Sequence, residues 1–258
     1  MSSSTWTPAA LSSETRPLSG TCWRLVEAQH RVSTLKLVDT VEEQAILEEQ
    51  IQGTKPPIPP GGERLHYLLS TPFRYGAFYP TGSRFRRAGL TEGVFSAADE
   101  PRTAVAEIVF YRLLFHAESP DTPWPANAAE YTAVSVAYGT AKGIDLTKGK
   151  LARDKPAWGH PTDYTACQAL ADSVRAAAIN VIRYQSVRDP RRGFNIALLT
   201  VEAFAKPKPI SQQTWHIRLS ATGAQAVCEA PKAGVTFDQK TFATDRRIAR
   251  LHWRRGGR

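Results

Sequence analysis

The chain has 258 residues, of which 42% are hydrophobic and 22% charged, and carries a formal charge of +9. This length suits one large domain or two at most, and the many aromatic and branched apolar residues exclude an intrinsically disordered chain. No apolar run approaches the length of a membrane-spanning helix, and the N-terminus lacks the basic and apolar regions of a signal peptide. Three widely spaced cysteines, Cys22, Cys167 and Cys228, favour reduced thiols and a cytoplasmic protein.

The positive charge is concentrated near the C-terminus. Residues 246–258 hold six arginines and no acidic residue, which leaves +3 for the first 245 residues. We therefore predict three parts: a Ser/Thr/Pro-rich flexible lead over residues 1–20, a single catalytic domain over 21–245, and a basic tail over 246–258. Nucleic-acid binding by this tail is one hypothesis, and a solvated terminal helix is the alternative.

Three helices are predicted from caps and apolar periodicity, over residues 44–50, 101–115 and 164–178. The first follows Thr40 and Glu43, which have capping-box spacing. The second begins at Asp99-Glu100-Pro101, where acidic residues and a proline favour a helix start. The third is capped by Asp163.

Short strands are predicted around Trp23 and Leu25 and over residues 93–97, 131–137, 179–184, 194–201 and 214–219. Residues 117–129 and 148–161 are predicted as loops because they lack an apolar period. Strands in pairs between helices indicate an α+β fold with a mixed, partly antiparallel sheet and flanking helices, not a regular βαβ array.

Several catalytic motifs are absent from the sequence. No GxGxxG follows a strand, and no GxxxxGK[ST], HExxH, paired CxxC or GxSxG occurs. A Rossmann dehydrogenase, a P-loop nucleotidase and a serine hydrolase therefore have little support, and we predict no metal site.

Polar residues in apolar surroundings are the strongest local signal, and they are Arg74, Arg84, Glu107, Ser186, Arg188 and Asn195. A buried carboxylate is costly unless it is paired, so Glu107 in its apolar helix is a candidate site residue. Spacing alone favours a solvated Glu107 beside Arg102 or Arg112, and it permits a Ser186 that satisfies only a turn backbone.

Six short motifs in order resemble the RES domain: His66–Tyr75, Gly82–Phe85, Gly93–Ala97, Thr103–Glu107, Arg183–Arg188 and Gly193–Leu198. The resemblance extends from about Trp23 to Trp215. The Arg, Glu and Ser that give the family its name fall on Arg84, Glu107 and Ser186.

The resemblance implies a fold similar to that of ADP-ribosyltransferases and NAD+ as the substrate. It implies a toxin of a type II toxin–antitoxin pair that inhibits growth by cleaving NAD+ at the nicotinamide–ribose bond, through hydrolysis or phosphorolysis. The implied partner is an Xre-type antitoxin with a helix-turn-helix part, so that DNA is reached only through the antitoxin, and the toxin is expected to form a homodimer within that complex.

The resemblance also assigns roles to residues. Arg84, Glu107 and Ser186 are the expected catalytic residues, and the expected NAD+-binding residues are Arg74, Tyr75, Phe95, Tyr184, Arg188 and Asn195. Arg84 and Arg74 would bind the pyrophosphate, which suits guanidinium groups. Ser186 would hold a ribose hydroxyl or the nicotinamide amide, and Phe95 or Tyr184 would form an aromatic wall. Many family members have Tyr where this chain has Phe95.

Two other functions remain open at this point. The first is mono-ADP-ribosyl transfer to a specific host protein, which uses the same substrate. The second belongs to another class, a basic nucleic-acid-binding protein or a catalytically silent relative that acts by binding.

Overall fold

The computed structural model describes residues 6–27, 37–75, 82–89 and 92–254. Its helices are α1 (Pro8–Ser12), α2 (Val41–Thr54), α3 (Tyr67–Arg74), α4 (Pro101–Glu118), α5 (Lys155–Trp158), α6 (Thr165–Ala176) and α7 (Arg246–Ala249). Its strands are β1 (Arg16–Glu27), β2 (Phe95–Ala98), β3 (Ala129–Asp145), β4 (Val181–Gln185), β5 (Phe194–Leu198), β6 (Ser211–Ser220), β7 (Gly223–Cys228) and β8 (Ala233–Asp238). The predicted α+β fold with a mixed, partly antiparallel sheet is confirmed.

The sheet has the strand order β1-β2-β5-β4-β3-β6-β7-β8, and β1 pairs with β3 as well as β2. Strand pairing therefore runs in a ring through β1, β2, β5, β4 and β3, which closes where Trp23 pairs with Ala98. Strands β6, β7 and β8 continue outward from β3. The β3–β4 pair is parallel, and the long crossover that such a pair requires carries α5 and α6.

Helix boundaries follow the signals in the sequence. The Thr40 hydroxyl accepts from the Glu43 N–H at 3.1 Å, and the Glu43 carboxylate accepts from the Thr40 N–H at 3.2 Å. This is the predicted capping box. Helix α4 begins at Pro101, where the missing N–H of proline costs nothing because the first helical amides have no partner.

Helix α4 carries the main core contact of the fold. Its Val105, Val109 and Phe110 are almost fully buried and pack with residues of β3, β6 and β7 in one apolar cluster. Glu107 follows Ala106 at the border of this buried face and is half-buried. None of the helices in the described part of the chain combines the length and apolar character needed to cross a membrane.

The prediction of a flexible lead over residues 1–20 is wrong for residues 6–20. Thr7 caps α1, Pro8 starts it, and Leu11 is completely buried in a second apolar cluster that includes residues of α6. Strand β1 already begins at Arg16 and pairs with β3. Serine, threonine and proline suggested a loop, but here they form a helix start. Residues 1–5 lie outside the described residues.

The basic tail predicted over residues 246–258 is also corrected, up to residue 254. Arg246–Ala249 forms α7, and Ile248 and Leu251 are buried against the cluster around α4. The Trp124 indole donates to the Trp253 carbonyl at 2.9 Å. The prediction considered only the six arginines of this segment and overlooked its apolar residues, which anchor it to the core. Residues 255–258 lie outside the described residues.

Two further differences concern secondary structure. The loop predicted over residues 148–161 contains the 3-10 turn Gly149–Asp154 and α5, and strands β7 and β8 were not predicted. The short strands β7 and β8 were missed because their alanine, glycine and cysteine residues give only a weak alternation of apolar and polar residues.

Substitution of Leu11 tests whether the N-terminal segment is part of the domain. We expect Leu11→Ala to lower the free energy of unfolding by about 2–5 kcal/mol, because the change leaves a cavity in the core. Urea unfolding followed by circular dichroism measures this. Leu37→Ala is the matched control, since Leu37 is 74% exposed; equal stability of both variants would contradict the buried assignment.

Candidate active site

A cavity of about 240 Å³ lies between β1, β2, α4 and the segment that follows β4. Its charged lining residues are Arg24, Arg84, Glu107 and Arg188, and its aromatic ones are Trp23, Phe85, Tyr111, Tyr164 and Tyr184. Three guanidinium groups against one carboxylate make the site attractive to an anion, and the rings can cover a planar group. Within the described ranges, no three His, Cys, Asp or Glu side chains converge as a metal site.

Glu107 is held in place by two side chains from the sheet. Its Oε1 accepts from the Ser186 hydroxyl at 2.6 Å and from the Asn195 amide Nδ2 at 2.7 Å. Oε2 makes no hydrogen bond to the described residues, and the side chain lines the cavity. One oxygen is thus used for positioning, and the other is left for a ligand.

The alternative of a solvated Glu107 paired along its own helix is wrong. Arg112 instead donates to the Tyr131 hydroxyl at 2.7 Å and to Glu27 at 2.5 Å. Arg102 is exposed at the start of α4. Helical spacing suggested these pairs, but Arg112 instead contacts Tyr131 and Glu27, which are distant from it in the sequence.

Ser186, which follows β4, forms three hydrogen bonds within the protein through its hydroxyl. Besides donating to Glu107, its hydroxyl accepts from the N–H groups of Arg188 at 3.1 Å and Asp189 at 3.0 Å. A hydroxyl offers one donor and two acceptor sites, so all are used. The residue is only 4% exposed, and its hydroxyl holds Glu107 in place.

The turn between β4 and β5 packs tightly on the first turn of α4. Thr103 donates to Asp189 at 2.7 Å, and the Ser186 N–H donates to the Gly193 carbonyl at 2.8 Å. A Cβ atom on Gly193 would lie 2.1 Å from the Thr103 hydroxyl. Glycine at this position therefore allows the close approach that brings Ser186 next to Glu107.

Asn195 and Tyr184 face each other across β5 and β4. A carboxylate only accepts hydrogen bonds, so the Asn195 amide must turn its Nδ2 to Glu107. Its Oδ1 is buried and makes no hydrogen bond of normal geometry to the described residues, although the Tyr184 hydroxyl lies beside the amide. Burial and then the Glu107 charge raise the pKa of Tyr184, so its phenol stays neutral.

Arg84 is presented by a tight turn. Gly82 has φ +64°, and a Cβ atom there would lie 2.3 Å from the Arg86 carbonyl, so the turn requires glycine. The Arg84 guanidinium donates to the carbonyls of Trp158 at 2.5 Å and His160 at 3.1 Å. Helix α5 and the residues after it thereby fix the direction of the arginine.

The charge of Arg84 is not neutralised by a carboxylate in the described structure. Burial would lower the pKa of Arg84, but Tyr184, Cys167 and Tyr164 together raise it. The guanidinium also lies over the Tyr164 ring, 4.9 Å from its centre. Arg84 is therefore a permanent cation in the cavity wall, available to an anionic ligand.

Sequence reasoning missed Arg24, Tyr111 and Tyr164. Arg24 on β1 lines the cavity and donates to the Ser96 carbonyl at 2.8 Å, while burial lowers its pKa. It lies far from the other motifs in sequence and reaches them only through the pairing of β1. Tyr111 has a local signal, because it follows Glu107 by four residues on the same helix face.

Arg188 lines the cavity, but its charge is compensated from the C-terminal segment. Nη1 donates to Asp245 at 2.9 Å, Nη2 donates to the Pro161 carbonyl, and the guanidinium lies 3.8 Å from the centre of the Phe110 ring. Although burial acts to raise the pKa of Asp245, Arg247 and then Arg188 lower it overall.

Arg74, Tyr75 and Phe95, predicted as NAD+-binding residues, do not line the cavity. Arg74 ends α3 and donates to the Pro56 carbonyl at 2.7 Å, and Tyr75 is exposed beside it. Phe95 is fully buried and packs edge-on against Phe204, with ring centres 5.0 Å apart. Ser96, the next residue of β2, lines the cavity, whereas the Phe95 ring packs into the apolar cluster that contains Phe204.

Removal of the Ser186 hydroxyl tests its positioning role. We expect Ser186→Ala to lower the free energy of unfolding by about 1–3 kcal/mol, because two buried amides and the Glu107 carboxylate lose a partner. Chemical unfolding measures the loss. Ser211→Ala, at an exposed position that starts β6, should change stability by less than about 0.5 kcal/mol; a similar small effect at Ser186 would contradict the network.

Comparison with known proteins identifies the family. A search of curated proteins gave no match. One solved structure, the M. tuberculosis MbcT–MbcA toxin–antitoxin complex, is similar with a TM-score of 0.47 and 12% identity, covering 80% of this chain and 89% of that one. The family model of the RES domain matches residues 60–220, more than half of the chain and the part that holds Arg84, Glu107, Ser186 and Asn195. The chain therefore belongs to the RES-domain family.

Proposed function

We propose that this protein is the toxin of a bacterial toxin–antitoxin pair that binds NAD+ in the cavity and cleaves its nicotinamide–ribose bond. The observation that carries the proposal is Glu107, held through one oxygen by Ser186 and Asn195 in a cavity lined by cations and aromatic rings. Membership of the RES-domain family supports both the substrate and the toxin role.

The chemistry needs little more than a fixed negative charge. In NAD+ the nicotinamide is already a cation, so the C1′–N bond breaks without a general acid, and its electron pair leaves with neutral nicotinamide. Positive charge develops on the ribose. A carboxylate about 4 Å away, at an effective dielectric of about 20, stabilises it by roughly 4 kcal/mol, on the order of a thousandfold in rate. An acceptor oxygen then bonds to C1′ and loses its proton.

The two arginines without a carboxylate partner in the described structure, Arg84 and Arg24, suit the pyrophosphate. The cavity of about 240 Å³ is smaller than the roughly 300–1,000 Å³ typical for whole drug-sized ligands. It suits the nicotinamide riboside half of NAD+, with the adenosine half outside.

The acceptor of ADP-ribose is water or phosphate in this proposal, which depletes cellular NAD+ in the cytoplasm. Mono-ADP-ribosyl transfer to a host protein uses the same bond cleavage and is separated from it by the product. Purified protein incubated with labelled NAD+ should give free nicotinamide with ADP-ribose or its phosphate. Label on a protein band would favour transfer, and no nicotinamide release with any acceptor would overturn the proposal.

An enzyme that destroys NAD+ must be restrained in its own cell. We therefore propose an Xre-type antitoxin with a helix-turn-helix part that blocks the cavity, so that DNA is bound only through the antitoxin. A homodimer of the toxin within that complex remains part of the proposal. Copurification of the chain with the product of a neighbouring reading frame tests the partner.

Substitution of Glu107 tests the charge requirement. We expect Glu107→Gln to keep the fold but to lower kcat for nicotinamide release by about a hundredfold or more, because the charge that stabilises the ribose cation is lost. Glu118→Gln, at the exposed end of the same helix, is the control. If Glu107→Gln retained full activity, Glu107 would not be the catalytic group.

Substitution of the arginines tests the pyrophosphate assignment. Arg84→Gln and Arg24→Gln should each raise KM for NAD+ by roughly tenfold, since a charge-assisted hydrogen bond contributes about 1.5–3 kcal/mol. The same variants should cleave nicotinamide riboside as well as the wild type does, because that substrate lacks phosphate. Arg87→Gln, which lies in the same turn and pairs with exposed Asp172, is the control. An equal loss with both substrates would argue against phosphate binding.

A further inference from the structure

The C-terminal segment contacts a residue that lines the cavity, although the segment follows the family match over residues 60–220. Asp245 from this segment forms an ion pair with Arg188, which lines the cavity. We propose that Asp245 is a positioning residue: acting through Arg188 and the turn after β4, it holds Glu107 in its catalytic orientation. This inference rests on the proposed function, and it makes the segment around α7 a part of the active site.

The ion pair is buried on both sides. The distance from Arg188 Nη1 to Asp245 Oδ2 is 2.9 Å, and the two side chains are 3% and 5% exposed. Arg188 is enclosed further by the Pro161 carbonyl and the Phe110 ring. Loss of one partner from such a pair leaves an uncompensated buried charge, so Arg188 cannot keep this place without Asp245.

A continuous chain of contacts leads from the pair to Glu107. The N–H groups of Arg188 and Asp189 both donate to the Ser186 hydroxyl, which donates to Glu107 Oε1 at 2.6 Å. Displacement of the Arg188 side chain moves its own amide, which is one of the two N–H donors that fix the Ser186 hydroxyl toward Glu107. The effect of Asp245 on the carboxylate passes through Arg188 and Ser186 only, without contact with a ligand.

Asp245 is itself fixed by the segment that carries it. Its Oδ1 accepts from the Arg247 N–H at 3.0 Å as the cap of α7, and the Arg247 guanidinium binds both carboxylate oxygens. Ile248 and Leu251 anchor the segment in the cluster around α4. The apolar contacts fix the position of the segment, and the Asp245 carboxylate in turn fixes the position of Arg188 at the cavity.

Asp245→Asn isolates the charge, because asparagine keeps the size and the helix-capping oxygen of aspartate. We expect kcat for nicotinamide release to fall on the order of tenfold while KM for NAD+ changes by less than about twofold. Hydrogen exchange of the Arg188 and Asp189 amides should become faster. Asp238→Asn, at the exposed last residue of β8 in the same part of the chain, should change neither quantity.

A second variant separates positioning from stability. Arg188→Met combined with Asp245→Asn removes both charges, so it should regain the stability that Asp245→Asn loses, and it serves if the single variant does not fold. We expect its kcat to stay low. Recovery of kcat with stability, or unchanged kcat and exchange in Asp245→Asn, would overturn the positioning role. If the wild type released no nicotinamide, the proposed function would fail, and amide exchange would still decide whether Asp245 holds the turn.

Discussion

The structure of the site depends on one shared acceptor, Glu107 Oε1. A helix from one side of the molecule and two strands from the other meet at this atom, through the hydroxyl of Ser186 and the amide of Asn195. A partly buried carboxylate is costly unless donors stabilise it, so the two strands must reach α4 for the site to exist. Close packing of the Gly193 turn on Thr103 supplies that approach.

This arrangement separates positioning from chemistry within a single side chain. Oε1 is consumed by the protein, whereas Oε2 remains toward the cavity without a hydrogen-bond partner in the described ranges. A charge that is already fixed needs no reorganisation when positive charge develops beside it. Water must reorient to stabilise such a charge, so a preorganised carboxylate stabilises the transition state better than water does. Ser186 fixes the carboxylate charge through a hydroxyl whose one donor and two acceptor sites are all used within the protein.

Local patterns predicted the elements that carry the site, and long-range pairing decided which side chains enter it. Glu107, Ser186 and Asn195 stood out as polar residues in apolar surroundings, and the resemblance to the RES domain then assigned them to the site. Arg24 was not found, because nothing near it in sequence shows that β1 closes the ring beside β2. Phe95 was predicted as a cavity wall because it is an aromatic residue in a site motif. Its ring instead packs against Phe204 in the core, a contact between residues far apart in the sequence.

The C-terminal charge shows why net charge is a poor guide to function. The composition of residues 246–258 suggested a basic tail. In the structure, Ile248 and Leu251 are buried in the core, and Arg247 forms an ion pair with Asp245. Asp245 in turn neutralises Arg188, so of the three cavity arginines only Arg24 and Arg84 lack a carboxylate partner in the described structure. An anionic substrate would therefore be drawn to the side of the cavity formed by β1 and the Arg84 turn, while Arg188 serves the geometry of Glu107. Part of the charge that the composition offered to nucleic acid is therefore structural, and the two cavity arginines without a carboxylate partner in the described structure lie 60 positions apart in the sequence.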